Sequence, residues 1–326
     1  MDVLSEVLRE VRLTGALYFD VSAGAPWVAT TPGSANICGA VMPGFEHVMA
    51  FHILLEGHAW VQLAGEPQPS VHLQVGDGVI IARGDGHSLS SEPGKHGAAQ
   101  IEMYRRPVGT SLPYVLREFG GTGEKTRFAC AFFGCEVRPY NPVFEAMPRL
   151  FSFRGDSAAG AATLALIRTA LGESQSPRAG GEAIIARTSE LMFLHAVRQY
   201  IDDLAPESRG WLAALRDPQI GTALRLMHSR PSEPWTLDAL AREAGLSRTT
   251  LSERFGAVVG MTAMQYLSNW RLQIAAGLLS TQRTSIGRIA TEVGYDSQAS
   301  FNRAFKRQVG MPPGAWRRKK LAQNTD

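Results

Sequence analysis

Three cysteines in 326 residues, Cys38, Cys130 and Cys135, are too few and too scattered for a disulfide framework, so packing must hold the fold, as in a reducing compartment. Long apolar runs are absent. No stretch approaches the roughly 18 uninterrupted apolar residues of a membrane span, which argues against a membrane partner. The opening MDVLSEVLREVRLTGALYF lacks the basic start, apolar run and small-residue cleavage site of a secretory signal, and a cytoplasmic location is expected. Catalytic signatures are missing as well. FGGTGEKT, from Phe119, has glycines and Lys125 without the spacing of a phosphate loop, and reads as a surface loop. With no nucleophile motif or carboxylate pair either, an enzyme is not expected.

What is present is a globular composition, 44% hydrophobic and 19% charged, in a chain long enough for two or three compact units. Its charge is unevenly spread. Residues 1–216 carry 18 Lys+Arg against 22 Asp+Glu, a net of −4, whereas residues 217–326 carry 15 against 8, a net of +7. That asymmetry suggests a polyanion partner for the last third, a solvated basic face being the alternative.

From Ala16 to Phe133, short apolar stretches (ALYFDV, AFHILLEG, AWVQLAG, VHLQVGDGVIIARG, RFACAFFG) alternate with Gly, Pro and Asp turns, the pattern of short strands closing a sandwich or small barrel. Past Phe144 the period changes. AAGAATLALIRTALGE and EAIIARTSELMFLHAVRQYIDDL predict two helices, the second with Ile184, Leu191, Leu194 and Val197 at helical spacing. Apolar residues around much of its circumference suit either a subunit interface or an intramolecular helix pair. Asp217 then caps, and Pro218 opens, a further helix. The expectation is an α+β chain in three segments: strands in 1–140, a helical linker or dimerisation region in 141–216, and an all-α domain in 217–320.

The all-α part contains a repeat. WTLDALAREAGLSRTTLSERF, Trp235 to Phe255, returns as SIGRIATEVGYDSQASFNRAF, Ser285 to Phe305. In the first copy Thr236 and Ser247 are helix caps, Gly245 supplies a positive φ between two helices, and Leu251, Phe255 and Val258 form the inward face. The second copy repeats Ala241 and Gly245 as Ala290 and Gly294, then Leu251, Phe255 and Gly260 as Phe301, Phe305 and Gly310, with one extra residue in the turn. Each copy is a helix-turn-helix. Between them AMQYLSNWRLQIAAGLLSTQ, with Leu267, Trp270, Ile274 and Leu278 on one stripe, predicts a rod about 28 Å long at 1.5 Å per residue. A rod of that length suits two recognition helices entering successive major grooves on one side of a duplex.

On these residues, and on RLQIAAGLL and IATEVGYDSQASFNRAFKRQVGMPPGAWR, residues 217–318 resemble the DNA-binding domain of the AraC/XylS transcription regulators. With Leu251 and Phe255 turned inward, Arg248, Thr249, Ser252 and Glu253 are the base-reading candidates of the first recognition helix. Glu253 departs from the basic or amide side chain expected there; a carboxylate can accept from cytosine. The same geometry and the family motif give Gln298, Ala299, Asn302 and Arg303 in the second helix, with Arg303 suited to guanine, Gln298 to adenine and Ala299 to a thymine methyl. Arg271, Arg288, Lys306 and Arg307 are assigned to phosphates, each equally readable as an ordinary solvated base. Arg317 to Lys320, RRKK, read as a soluble tail.

GFEHVMAFHILLEG followed by GDGVIIARGDGHSLS resembles the two cupin motifs, and the pairing with the C-terminal part resembles a subgroup with an N-terminal cupin-like sensor. The resemblance implies a cupin-like β-barrel with following helices. His52, Glu56 and His87 fall where three of a metal cupin's ligands would, but Ala50 replaces the other His and Ala82 a proline. Cys130 projects into the same cavity with Phe132 on its face, and Cys135 on the opposite parity. A zinc-like ion on His52, His87 and Cys130 is one reading; a metal-free pocket for a small effector is the first, with no cofactor required. The resemblance further implies double-stranded DNA, a second copy of the chain and RNA polymerase as partners. The rival readings are a metal-dependent cupin enzyme fused to a DNA-binding module, and a redox-sensing regulator using Cys130.

Overall fold

In chain order the elements are α1 (Val3–Glu10), β1 (Thr14–Gly24), β2 (Val28–Thr31), α2 (Ser34–Val41), β3 (His47–Glu56), β4 (Ala59–Leu63), β5 (Val71–Leu73), β6 (Gly78–Ile81), β7 (His87–Ser90), a 3-10 turn (Ile101–Tyr104), β8 (Tyr114–Gly120), β9 (Lys125–Cys135), α3 (Pro142–Ala146) and β10 (Leu150–Phe153). Helices complete the chain: α4 (Ala158–Gln175), α5 (Gly181–Asp203), α6 (Trp211–Ala214), α7 (Pro218–Ser229), α8 (Leu237–Glu243), α9 (Arg248–Val259), α10 (Ala263–Thr281), α11 (Ile286–Glu292), α12 (Gln298–Val309) and α13 (Pro313–Gln323). The structure is a computed structural model and describes residues 2–10, 14–65, 69–99, 101–105, 114–135, 139–176 and 178–323.

Packing divides the chain into two units. A strand-rich unit holds Leu13–Cys135 and Met147–Asp203; a helical unit gathers Met1–Arg12, Glu136–Ala146 and Leu204–Asp326. These borders cut across the segments 1–140, 141–216 and 217–320. The amphipathic α1 buries Val3, Leu4 and Val7 and packs with α3, α7 and α10, so the apolar stripe, not its place in the chain, decides which unit it joins.

In the strand-rich unit the pairing is β10-β6-β3-β9-β1-β8 in one sheet and β2-β7-β4-β5 in another. The strand-rich part is thus, as expected, a cupin domain ahead of helices, and of the sandwich and small barrel that its pattern allowed the described strands form two sheets. Among the described residues no ladder joins them; their inner faces share one core that includes Val21, Leu54, Ile81, Phe128 and Phe132 from the larger sheet and Val61, Leu63 and Leu89 from the smaller. The period of two along β9 puts Phe132 into this core and Phe133 on the outer face, where α5 covers it through Phe193, ring to ring at 5.2 Å. The inward stripe of α5 runs through Ile185, Met192, Phe193, Ala196 and Val197. Of the expected stripe, Val197 is buried while Ile184 and Leu191 stand 41% and 46% exposed.

In the helical unit each predicted cap forms: Asp217 accepts from the amides of Gln219 and Ile220, Thr236 from Ala239, and Ser247 from Thr250. Each such cap contributes about 1 kcal/mol. α10 buries Leu267 and Trp270 as expected, but Ile274 and Leu278 are only half-buried. Its central inward residues are Leu272, Ala275, Ala276 and Leu279, which close a core with Ile289, Phe301, Phe305 and Trp316. α13 packs along α10. The rod is thus buried on several sides, which a single apolar stripe does not express.

Candidate functional site

The two helix-turn-helix copies are built alike. α8 and α9 are separated by residues 244–247, and α11 and α12 by residues 293–297, one residue more. Gly245 and Gly294 take φ of +71° and +86°, a region that a side chain with a Cβ resists. Ser297 caps α12 by accepting from the Ser300 amide, as Ser247 caps α9. Leu251 and Phe255, and Phe301 and Phe305, are fully buried. Burying each Phe stabilises its copy by roughly 2–3 kcal/mol and fixes which side of the helix faces out.

That outward side carries the residues expected to read bases. Arg248, Thr249, Ser252 and Glu253 on α9 are all exposed, as are Gln298, Ala299 and Arg303 on α12. Asn302 is half-buried, with its Oδ1 enclosed and without a hydrogen-bond partner among the described residues. Arg248 lies 3.8 Å from Asp238 Oδ2, both about two-thirds exposed, a surface pair worth little and easily traded for another partner. Arg288, Lys306 and Arg307, the residues assigned to phosphates from the sequence, are exposed.

Arg271 is different. Its Nε donates to the Pro231 carbonyl at 2.6 Å and its Nη2 to the Glu233 carbonyl at 2.7 Å. Half-buried, it braces the 231–233 loop instead of presenting a free cation. Neither is RRKK a tail. It lies in α13, where Arg317 donates to the Thr284 carbonyl at 2.6 Å and Lys320, only 6% exposed, sits 5.1 Å above the Trp316 ring. Sequence reasoning passed over Arg254, which clasps Asp217 at 2.7 Å and Gln219 and so ties α9 to α7; nothing in its spacing announces this.

In the strand-rich unit His52, His87 and Cys130 do meet. β3 pairs with β9 so that His52 faces Cys130, and Cys130 Sγ lies 2.9 Å from His52 Nδ1. His52 Nε2 lies 2.6 Å from His87 Nε2, and His87 Nδ1 lies 3.0 Å from the Asp85 carbonyl. A carbonyl only accepts, so His87 carries its proton on Nδ1 and leaves Nε2 bare. His52 must then donate from Nε2 and accept the Cys130 thiol hydrogen at Nδ1. Burial keeps all three neutral: His87 is pushed down to about 4, His52 well below the ordinary imidazole range, and the Cys130 thiol up.

This arrangement does not fit a metal. His52 turns opposite ring nitrogens to His87 and Cys130, so no single point lies within ligand distance of all three donors. Among the described residues no cluster of three or more His, Cys, Asp or Glu could hold an ion. Glu56 is no part of the cluster either. It follows a register shift at the end of β3 and is exposed, bordering a separate surface groove with Arg127. Ala50, in place of the missing His, is buried in the core.

Cys130 also lines a cavity of about 90 Å³ with Phe19, Val21, Val28, Ala29, Thr30, Thr31, Ala98, Met103 and Tyr104. Phe132 backs the Tyr104 ring at 6.0 Å without lining it. Tyr104 donates to Thr31 Oγ1 at 3.1 Å. The wall bears no charged side chain. Its Tyr104 comes from the 3-10 turn, outside any apolar stretch, and was not legible as a pocket residue.

Residues 2–202 match the Cupin family and residues 240–319 match a helix-turn-helix domain family. The chain is 35% identical over 326 residues to the RCS-specific HTH-type transcriptional activator RclR of Escherichia coli, covering 97% of each. It is 28% identical over 323 residues to an AraC-like transcription regulator of Streptomyces lividans, covering 98% of each. A solved transcriptional regulator structure from Chromobacterium violaceum, described as of AraC-type DNA-binding-domain proteins, is 27% identical over 33% of this chain and 96% of its own, with a TM-score of 0.32.

Proposed function

Because the chain belongs to the AraC-type DNA-binding transcription regulators, with a cupin domain ahead of its helix-turn-helix domain, we propose that α9 and α12 read two adjacent major grooves of one duplex. The observation that carries this is the matched build of the two copies: a Ser cap on each reader, the same buried pair, and exposed polar side chains at two corresponding pairs of positions, Arg248 with Gln298 and Glu253 with Arg303. α10 spans about 28 Å, close to the roughly 34 Å repeat of successive groove faces. Arg303, Gln298 and Arg248 discriminate bases; Arg288, Lys306 and Arg307 anchor phosphates.

The strand-rich unit controls this engagement through a small uncharged effector in the cavity bordered by Cys130. An apolar cavity of about 150 Å³ holds benzene, so about 90 Å³ suits a molecule of few heavy atoms. The effector acts only by its difference in affinity between two states of the protein. A second copy of the chain covers Ile184 and Leu191, a heptad apart on α5 and both exposed. No metal is required, and RNA polymerase is the downstream partner. The relatives are named as transcription regulators; this chain is a regulator, not an enzyme.

Selecting duplexes from a randomised pool with the full-length protein, then footprinting the winner, tests the reading. Two protected blocks one helical turn apart are expected; a single block contradicts it.

A further inference from the structure

The two chain segments that adjoin the cavity strands both end on one side chain. Phe19 of β1 and Cys130 of β9 wall the cavity and are paired in register, and at the far end of the same ladder Thr14 pairs with Gly134. From there the sequence leads, through residues 11–13 on one side and 136–138 on the other, to Glu10 of α1 and to Pro139. In the helical unit both arrivals are held by Gln273 of α10, which is 1% exposed. The Tyr140 amide donates to its Oε1 at 3.1 Å, and its Nε2 donates to the Glu10 carbonyl at 3.4 Å. Beside it, Gln308 of the second recognition helix donates to the Pro139 carbonyl at 3.4 Å.

We propose that Gln273 is a latch that couples the state of the cavity strands to the rod between the two readers. The proposal rests on the reading that the cavity governs DNA binding. A primary amide is suited to this place because it offers an acceptor to one segment and a donor to the other. A Leu offers neither and leaves the buried Tyr140 amide unpaired. A Glu keeps the acceptor and loses the donor. In sequence three residues, 11–13 or 136–138, join each strand end to the segment held in the helical unit, so the ends of β1 and β9 are linked through the chain to Glu10 and Pro139, and by Gln273 and Gln308 to α10 and α12. Gln273 touches neither base nor effector; it is a positioning residue.

Coupling is reciprocal, so DNA can serve as the probe and the cavity strands as the readout. Hydrogen exchange of β1 and β9 is measured in full-length wild type, Gln273→Glu and Gln273→Leu, with and without the duplex selected from a randomised pool. In wild type the duplex slows exchange in both strands by about fivefold or more. The slowing is expected to shrink in Gln273→Glu and vanish in Gln273→Leu, at unchanged duplex affinity. Slowing that survives undiminished in both variants overturns the latch, as does wild-type β1 and β9 exchange that ignores bound duplex. Should Gln273→Leu fail to fold, undiminished slowing in Gln273→Glu alone overturns it. Wild type that retains no duplex overturns the DNA-binding reading and the latch with it. No effector is needed, so a cavity that takes none fails separately, in a thermal-shift screen.

Discussion

His52 and His87 face each other through their Nε2 atoms at 2.6 Å, and this contact, with the Asp85 carbonyl at one end and the Cys130 thiol at the other, leaves one order for the protons. Both rings are neutral in the fold, His87 pushed down to about 4 and His52 lower than an exposed imidazole, mainly by burial. The unfolded chain binds protons at both rings as the pH falls through about 6.5, while the folded chain does not. Unfolding free energy therefore rises with pH. Urea titrations are expected to show full stability above about pH 7 and a progressive loss between about pH 6.5 and 4, up to about 3 kcal/mol of it from His87. Half-buried His47 and buried His228, also lowered, add to the slope, so the informative comparison is His52→Asn/His87→Asn, which is expected to flatten it. An unchanged slope in that variant contradicts the arrangement.

The Cys130 thiol, raised by burial and donating to His52, is expected to be a poor nucleophile. In the native protein at pH 8, labelling of Cys130 by a disulfide reagent is expected to run at least about tenfold slower than in urea. Rapid native labelling would instead favour the redox-sensing reading.

Gly245 and Gly294 occupy matched turns, yet they differ in surroundings. A Cβ on Gly245 meets nothing within 4 Å, whereas one on Gly294 meets the Ser232 carbonyl at 2.7 Å and Ser232 Cα at 2.8 Å. Gly245→Ala is expected to cost about 1 kcal/mol for its positive φ alone. Gly294→Ala must also move the loop that Arg271 braces, and is expected to cost more, about 2–3 kcal/mol. Equal losses in thermal or chemical unfolding contradict that contact.

The repeat was legible because its signals are local. Caps at Thr236 and Ser247, glycines at the turns and Leu251 and Phe255 at helical spacing need no distant partner to be read. What failed depends on distant partners. Arg271 looks like any exposed cation until the 231–233 carbonyls are in place, and Glu56 sits on the expected parity of β3 but beyond a register shift. The His52, His87 and Cys130 meeting followed from strand parity, while the use of opposite His52 nitrogens, which decides against a shared ion, is set by ring orientation. The strand pattern left a sandwich and a small barrel open; strand pairing, which joins residues far apart in sequence, gives two sheets among the described residues.

Arg303 and Arg307, both exposed on α12, are expected to fail differently. Arg303→Ala is expected to cost about 1–3 kcal/mol of discrimination between the selected duplex and a scrambled one. Arg307→Ala is expected to weaken both duplexes alike and lower the salt slope by about 0.9. Binding isotherms at several salt concentrations separate the two; a uniform loss for Arg303→Ala contradicts its assignment to a base.

The most direct measurement of the central claim is the affinity for the selected duplex after about 5 bp, half a helical turn, are inserted between its two protected blocks. With α9 and α12 fixed on one rod, affinity is predicted to fall to that of scrambled DNA. Affinity that tolerates the insertion would contradict two readers working from adjacent grooves.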